Sequence, residues 1–311
     1  DMERWSDRHS SKKLGAGTWG EVVLKRWKGQ PVAVKRFFSG GDPQMQHREV
    51  GVMRHLQTQG QHPNILVLHG VLLRPCLSLV LEWCQGGTVF SVQRKAFFTS
   101  RQRVAVMCQV ASALAHVHAH HVVHRDLKTD NVLFRDPLTP ETIPVVKLCD
   151  FGLAKDLKAF ETTDTPLLPS DYLPGTWHAP ELQRNLAHGR GVDVYAFGSL
   201  VVDVALGEAF LNESWPPEAA TWELARSKES PTPALELVIT GSLAASAAKR
   251  PQMLQLVRTL GRDVTPEAIP ALRQRLALPT APPAPAKTSM EFVDLQGALD
   301  EGPKPPKYTG R

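Results

Sequence analysis

Apolar positions along this chain follow two different periods, and the change falls near Gly86-Gly87. Before it, Leu14 runs into a glycine-rich turn, Glu21 to Trp27 alternates, and Lys28-Gly29-Gln30-Pro31 turns into Val32 to Phe38. Alternation bounded by Gly and Pro predicts strands joined by tight turns. Residues 44 to 59 switch to helical spacing, with Val50, Met53 and Leu56 on one side. Strands are predicted again over Ile65 to Leu73 and Leu77 to Leu81. Beyond the two glycines the period is helical. Val104, Met107, Val110, Ala111, Leu114 and Val117 mark a helix over 101–121. Val192 to Leu206 reads as a buried helix, and a further helical stretch lies around Ser246 to Leu260. From Pro279 the chain turns to Pro, Ala and small residues, the pattern of a disordered tail. Within it Phe292, Leu295 and Leu299 would share a helical face; incidental hydrophobes are the favoured reading over a docking helix. No internal repeat is visible.

Composition narrows the class. The 311 residues suffice for two lobes with a sizeable core, and 42% hydrophobic with 22% charged residues reads as soluble and globular. The net charge of +5 is small and its basic residues are scattered, which argues for solvated surface and against a nucleic-acid footprint. Cys76, Cys84, Cys108 and Cys149 show no C-x-x-C spacing and read as free thiols in a reducing, cytoplasmic compartment. Cys84 and Cys149 fall next to candidate site residues; buried small side chains are favoured there over reactive thiols. The longest apolar run, Val192 to Leu206, is interrupted by Asp193 and Asp203, so no membrane insertion is expected. No secretory signal is visible, and the opening on Asp1 shortly before the glycine turn reads as a fragment or processed form.

The chemistry sits in His124-Arg125-Asp126-Leu127-Lys128-Thr129-Asp130-Asn131, followed by Asp150-Phe151-Gly152. A carboxylate, an ammonium and an amide share one turn, and a second carboxylate arrives on the next strand pair. One carboxylate can orient a hydroxyl and accept its proton, while the other and the amide hold magnesium, a grouping suited to phosphoryl transfer from a metal-bound nucleotide. Upstream stand Gly15-Ala16-Gly17-Thr18-Trp19-Gly20-Glu21-Val22, Val32-Ala33-Val34-Lys35 and Glu49; downstream stands Ala179-Pro180-Glu181. A lone G-x-G-x-x-G is weak evidence, and in a dinucleotide-binding fold it would open a helix. Here β-favouring sequence follows it, so the glycines cap a hairpin.

With these motifs in this order the chain resembles the eukaryotic protein kinases over roughly residues 5 to 262. Lys128 marks the serine/threonine type, and Arg26-Trp27-Lys28-Gly29 with His62-Pro63-Asn64-Ile65-Leu66 resembles the tyrosine-kinase-like group. The resemblance implies an α+β, bilobal kinase fold. Its domain would cover 1–262, with a small antiparallel sheet lobe over about 5–85 and a mainly helical lobe over about 86–262; a helical end and tail would occupy 263–311. It implies ATP and magnesium as cofactors and serine or threonine hydroxyls of proteins as acceptors. Asp126 would be the base and Lys128 the charge stabiliser; Asn131 and Asp150 would hold the metal. Gly15, Gly17 and Gly20 would cover the phosphates, with Lys35 held by Glu49 beneath them and Leu14 a further nucleotide-binding residue. Val22, Ala33 and Leu133 would sandwich adenine, Leu81 would be the gatekeeper, and the backbone of Glu82 and Cys84 would bind the adenine edge. Met53, Leu68, His124, Phe151 and Asp193 would form a stacked spine, and Glu181 would pair with Arg250. An upstream kinase acting on the activation segment is a further implied partner. It would place a phosphate near Arg125 and Lys155 on Thr162, Thr163 or Thr165, chosen from acceptors that also include Ser170, Tyr172 and Thr176. Asp156, Glu161 or Asp164 could fill that place instead.

Other readings compete. His116, His118, His120, His121 and His124 cluster, and His116 with His120 has the i, i+4 spacing of zinc ligands, but no nearby carboxylate or cysteine completes a set. About six extra residues around Arg135 to Pro144 suggest a longer surface turn. Gly175-Thr176 stands two residues closer to Ala179-Pro180-Glu181 than the resemblance expects. Thr176 is therefore not secured as the threonine that touches the catalytic Asp and Lys. A pseudokinase scaffold that binds nucleotide with little transfer is the alternative function. A small-molecule phosphotransferase of related fold would lack the A-P-E segment and its arginine partner.

Overall fold

The computed structural model describes residues 12–17, 20–38, 43–74, 76–93, 98–157, 175, 177–206 and 233–268. The small lobe is an antiparallel sheet in the order β1-β2-β3-β5-β4, built from β1 (Lys13–Gly17), β2 (Gly20–Trp27), β3 (Gln30–Phe37), β4 (Leu68–Leu72) and β5 (Ser78–Glu82). Lys28 and Gly29 both take positive φ, 51° and 79°, the two-residue turn whose twist matches a hairpin. Alternation decides the two faces. Val23, Val32, Val34 and Val80 pack on one side with Trp27 and Leu72, while Ala33, Leu79 and Leu81 join the main core on the other.

Helix α1 (Pro43–Thr58) supplies that second side through Met45, Glu49, Val52, Met53 and Leu56. Val50, expected on this face, is only partly buried, and Val52 holds the contact instead. The strand predicted from Ile65 begins only at Leu68, because Ile65 and Leu66 turn to Leu148 of the large lobe, with Leu66 N–H donating to Leu148 O at 3.0 Å.

In the large lobe, β6 (Gly87–Thr88), β8 (Val132–Phe134) and β9 (Val146–Leu148) form one small sheet, and β7 (Val122–Val123) with β10 (Lys155–Asp156) another. The short α2 (Val89–Val92) leads to α3 (Ser100–Ala119). Thr99 and Gln102 cap α3 reciprocally, at 3.3 and 3.0 Å. The Gln102 side chain also donates to Thr139 O and Thr142 O at 2.6 and 2.8 Å, so the extra residues of 135–144 form an exposed turn tied to this cap.

The short α4 (Pro180–Gln183) opens on proline, and α5 (Gly191–Leu206) is apolar on nearly every face and correspondingly buried. Helix α6 (Pro233–Ser242) was not expected from the sequence: it is short, and its apolar residues fit helix and strand alike. The helix expected around Ser246 starts later, as α7 (Met253–Asp263), because Pro251 ends the preceding 3-10 turn, Ala247–Lys249. The tail with Phe292, Leu295 and Leu299 lies outside the described residues.

Candidate active site

After β7, residues 124–131 cross the cleft as a loop ending in a 3-10 turn, Thr129–Asn131. Arg125 sits in the left-handed region at φ 67°, a conformation that a non-glycine residue holds only when its surroundings insist. Asp193, on buried α5, is what insists. Its carboxylate accepts from His124 N and Arg125 N at 2.8 Å each, and from the His118 ring at 2.9 Å. Burial alone would raise the pKa of Asp193, but the His118 bond and the nearby His124 outweigh it and hold it below its ordinary value. Asp193 thus anchors the loop backbone, a role beyond the stacking implied for it. His124 does stack, its ring 4.9 Å from Phe151.

Within this frame the Asp126 carboxylate meets Lys128 Nζ at 2.9 and 3.1 Å. The Asn131 amide nitrogen donates to Asp126 Oδ2 at 2.9 Å and to Asp126 O at 2.7 Å, which leaves the amide oxygen as the atom that can meet a cation. Across the cleft, Lys35 donates to both Glu49 oxygens at 2.8 Å and to Asp150 Oδ1 at 3.0 Å. Asp150 also holds a positive φ, 64°. One ammonium serving two carboxylates divides them. Desolvation would lower the Lys35 pKa, but Asp150 and Glu49 reverse this and keep it above its usual range. Asp150 falls below its ordinary value, since Lys35 outweighs desolvation, whereas burial pushes Glu49 up to about 7 against the pull of Lys35.

Between these two groups lies a cavity of about 540 Å³. Leu14, Gly15 and Val22 line its roof, with Ala33, Lys35, Glu49 and Leu81 on the small-lobe wall. Glu82 and Cys84 line the back, and Leu133, Asn131 and Asp150 lie on the large-lobe side. Gly17 and Gly20 close the hairpin above it. A Cβ on Gly20 would stand 2.2 Å from Arg36 O, so only glycine lets β2 lie this close to β3. Glu82 N–H donates to Val67 O at 2.9 Å, so only its carbonyl remains for an adenine edge. Lys147 pairs with the Glu82 side chain at 2.9 Å behind this segment, a contact with no spacing signature.

The protein-family model described as "Protein kinase domain" matches residues 8–259. The chain belongs to the protein kinase domain family. Serine/threonine-protein kinase CTR1 of Arabidopsis thaliana is 31% identical over 287 residues, 84% of this chain and 32% of that protein. Mitogen-activated protein kinase kinase kinase 13-A of Xenopus laevis is 33% identical over 199 residues, 63% of this chain and 18% of that protein. The human mitogen-activated protein kinase kinase kinase 13 is 31% identical over the same length. The kinase domain thus spans a third or less of these relatives, and they agree with the serine/threonine, tyrosine-kinase-like resemblance.

The Glu181–Arg250 pair implied by the resemblance is formed. Glu181 and Arg250 pair through both oxygens and both terminal nitrogens, at 2.5 and 3.0 Å. Burial, then Glu82, pushes the Cys84 thiol up to about 12, and burial, then Asp150, holds Cys149 well above its ordinary value. Both are thiols that resist ionisation, inert as cavity wall. The rings of His116 and His120 stand 4.5 Å apart, yet no group of three metal-ligating side chains occurs among the described residues. The activation-segment acceptors Thr162, Thr163, Thr165, Ser170, Tyr172 and Thr176 lie outside the described residues, as do Glu161 and Asp164. Sequence reasoning missed Trp177 and His178, which reach Lys128 and Asp126 from the docking segment. Its only signal was the shortened spacing to Ala179.

Proposed function

We propose that this kinase domain transfers the γ-phosphoryl group of ATP to serine or threonine hydroxyls of protein substrates. The observation that carries the reading is a pair of polar groups joined through one cavity wall: Lys35, locked between Glu49 and Asp150, lines the cavity, and Asn131 on the same wall holds Asp126, which Lys128 also meets. Asn131 and Asp150 offer hard oxygen donors on one wall and fit a magnesium ion, which when bound would neutralise phosphate charge. Lys35 fixes the α- and β-phosphates and is itself fixed by Glu49. Asp126 orients the acceptor hydroxyl and receives its proton, and Lys128 balances charge at the transferred group. The glycine hairpin and Leu14 exclude water from above.

The four free thiols support a reducing, cytoplasmic setting. An upstream kinase acting on the activation segment is supported by the positive charge gathered beside the catalytic loop. Burial, then the Arg125 guanidinium, lowers the Lys155 pKa, and His188 is lowered by burial with both cations nearby. A phosphate brought there would form charge-assisted hydrogen bonds and order the segment.

The test is transfer from γ-labelled ATP to a mixture of protein substrates, with and without magnesium, followed by phosphoamino-acid analysis. Magnesium-dependent phosphoserine and phosphothreonine are expected. Label on tyrosine alone overturns the acceptor class. Nucleotide binding without transfer establishes the pseudokinase scaffold instead.

A further inference from the structure

The docking segment is short, and His178 at its end reaches the catalytic loop. His178 immediately precedes Ala179-Pro180-Glu181 and is 1% exposed. Its Nε2 stands 3.6 Å from Asp126 Oδ1. The ring orientation is set from behind. Gly175 N–H donates to Nδ1 at 2.8 Å, which makes Nδ1 an acceptor and places the hydrogen of the neutral ring on Nε2, the atom facing the carboxylate. Gly175 O also lies 3.2 Å from Nδ1, but the amide hydrogen is the nearer partner. The backbone is pinned as well: His178 N–H donates to Gly175 O at 3.1 Å, and the Gln183 side chain donates to His178 O at 2.8 Å.

The neighbouring residue completes the clasp. The Trp177 ring lies 5.4 Å from Lys128 Nζ, within cation–π range, and 5.3 Å from the His178 ring. A Cβ on Gly175 would fall 2.3 Å from the Trp177 indole, so glycine there is a condition of this arrangement. Asp126 Oδ2 is held by Lys128 and Asn131 at 2.9 Å each, whereas Oδ1 has Lys128 at 3.1 Å and His178 beyond it. Oδ2 is thus held by the loop itself, whereas Oδ1 is met both by the loop's Lys128 and, at longer range, by the docking segment's His178.

We propose that His178 is a positioning residue for phosphoryl transfer: its Nε2–H steadies the Oδ1 edge of Asp126 so that the carboxylate faces the acceptor hydroxyl. This rests on the kinase reading above. The hydroxyl proton passes to Asp126 and the imidazole takes none of it. His178 stands directly before Ala179 in the shortened spacing, and a ring has the reach to bring its Nε2 to the Asp126 carboxylate.

The experiment compares wild type with His178→Ala, His178→Leu and His178→Gln, measuring kcat, KM for ATP, nucleotide affinity and melting midpoint. Leucine keeps bulk without a donor, and glutamine keeps an N–H. Alanine and leucine should both lower kcat by about ten- to a hundredfold, with KM for ATP and nucleotide affinity unchanged. Glutamine should recover most of kcat. Leucine should recover the melting midpoint but not kcat. If alanine fails to fold, the leucine and glutamine pair decides alone. Equal kcat for leucine and glutamine, or a loss that follows nucleotide affinity, overturns the positioning role while leaving the kinase reading intact. A wild-type chain that binds nucleotide and transfers nothing overturns both.

Discussion

Asp126 takes two side-chain partners from its own loop, Lys128 and Asn131, two and five positions further on. Lys35 instead reaches Glu49 on helix α1 and Asp150 in the large lobe, 115 positions away. The first arrangement is local, so folding the loop onto Asp193 nearly completes it. The second exists only when sheet, helix and large lobe are all docked, so any shift of α1 or of Asp150 dismantles it. Chemistry at the acceptor side is thereby built to be fixed, and the nucleotide side to be assembled.

Asp126→Asn breaks the local side at its centre and should have the largest effect. The amide keeps shape but cannot accept the hydroxyl proton, so transfer should fall by about 10²–10⁴-fold, the usual contribution of a general base. Nucleotide affinity should stay near wild type, because Asp126 does not line the nucleotide cavity. Comparable turnover in single-turnover assays would show that the base lies elsewhere.

Lys35→Met breaks the assembled side while preserving an unbranched stem. Transfer should fall by about a hundredfold, in line with loss of a well-placed electrostatic contact. The fold should survive: methionine leaves little cavity, and Glu49, already pushed up to about 7 by burial, can take a proton when its cation is gone. Nucleotide affinity should weaken here, unlike in Asp126→Asn. A collapsed melting transition would make Lys35 a structural residue instead.

Arg250→Met probes an assembled contact remote from either group. The arginine is 7% exposed, pairs with Glu181, and donates to Gly191 O, Ala244 O and Ala245 O at 2.8–3.1 Å. Removing it strands Glu181 and three carbonyls, so stability should drop by about 3 kcal/mol, within the range for breaking a buried pair. Thermal or denaturant unfolding checks this, and a drop below about 1 kcal/mol would class the pair with ordinary surface bridges.

The same division explains what the sequence disclosed. The loop 124–131 was legible because its chemistry is spelled out in consecutive letters, and the small-lobe strands because Val23, Val32, Val34 and Val80 alternate with the opposite face. Lys35 with Glu49 required the kinase resemblance, since no local rule joins a strand end to a helix. Lys147 behind Glu82 and the full task of Asp193 depend on which atoms the fold buries together, and neither has a spacing signature. Helix α6 and the late start of α7 were hidden by prolines and by short apolar runs that fit helix and strand alike. His178 was visible only as a deletion.

The smallest effect concerns the back of helix α1, where protons act in the sense opposite to Glu49. His62 follows that helix. Its Nδ1 accepts from Asn64 N–H at 3.1 Å, its Nε2 meets Ser112 Oγ at 3.0 Å, and its ring lies 5.1 Å from His116. A second ring proton would have to point at an N–H already aimed there. Burial first, then His116 and Lys147, lowers its pKa from the ordinary 6.5 to about 4. Between those values the unfolded chain binds the proton and the folded chain does not, so His62 favours folding fully above 6.5 and progressively less as pH falls towards 4. Glu49 runs the other way: with its pKa raised from 4.5 to about 7, the folded chain binds the extra proton, and its penalty grows as pH rises through that window. Replacing His62 with glutamine keeps a donor for Ser112 and an acceptor for Asn64 but removes the titration. The variant should match wild type near pH 7.5 and exceed it near pH 5 by a few degrees of melting midpoint, on the order of the 2–4 °C that 1 kcal/mol moves a larger domain. Parallel curves for the two proteins across this range would show that His62 takes no part in the acid sensitivity.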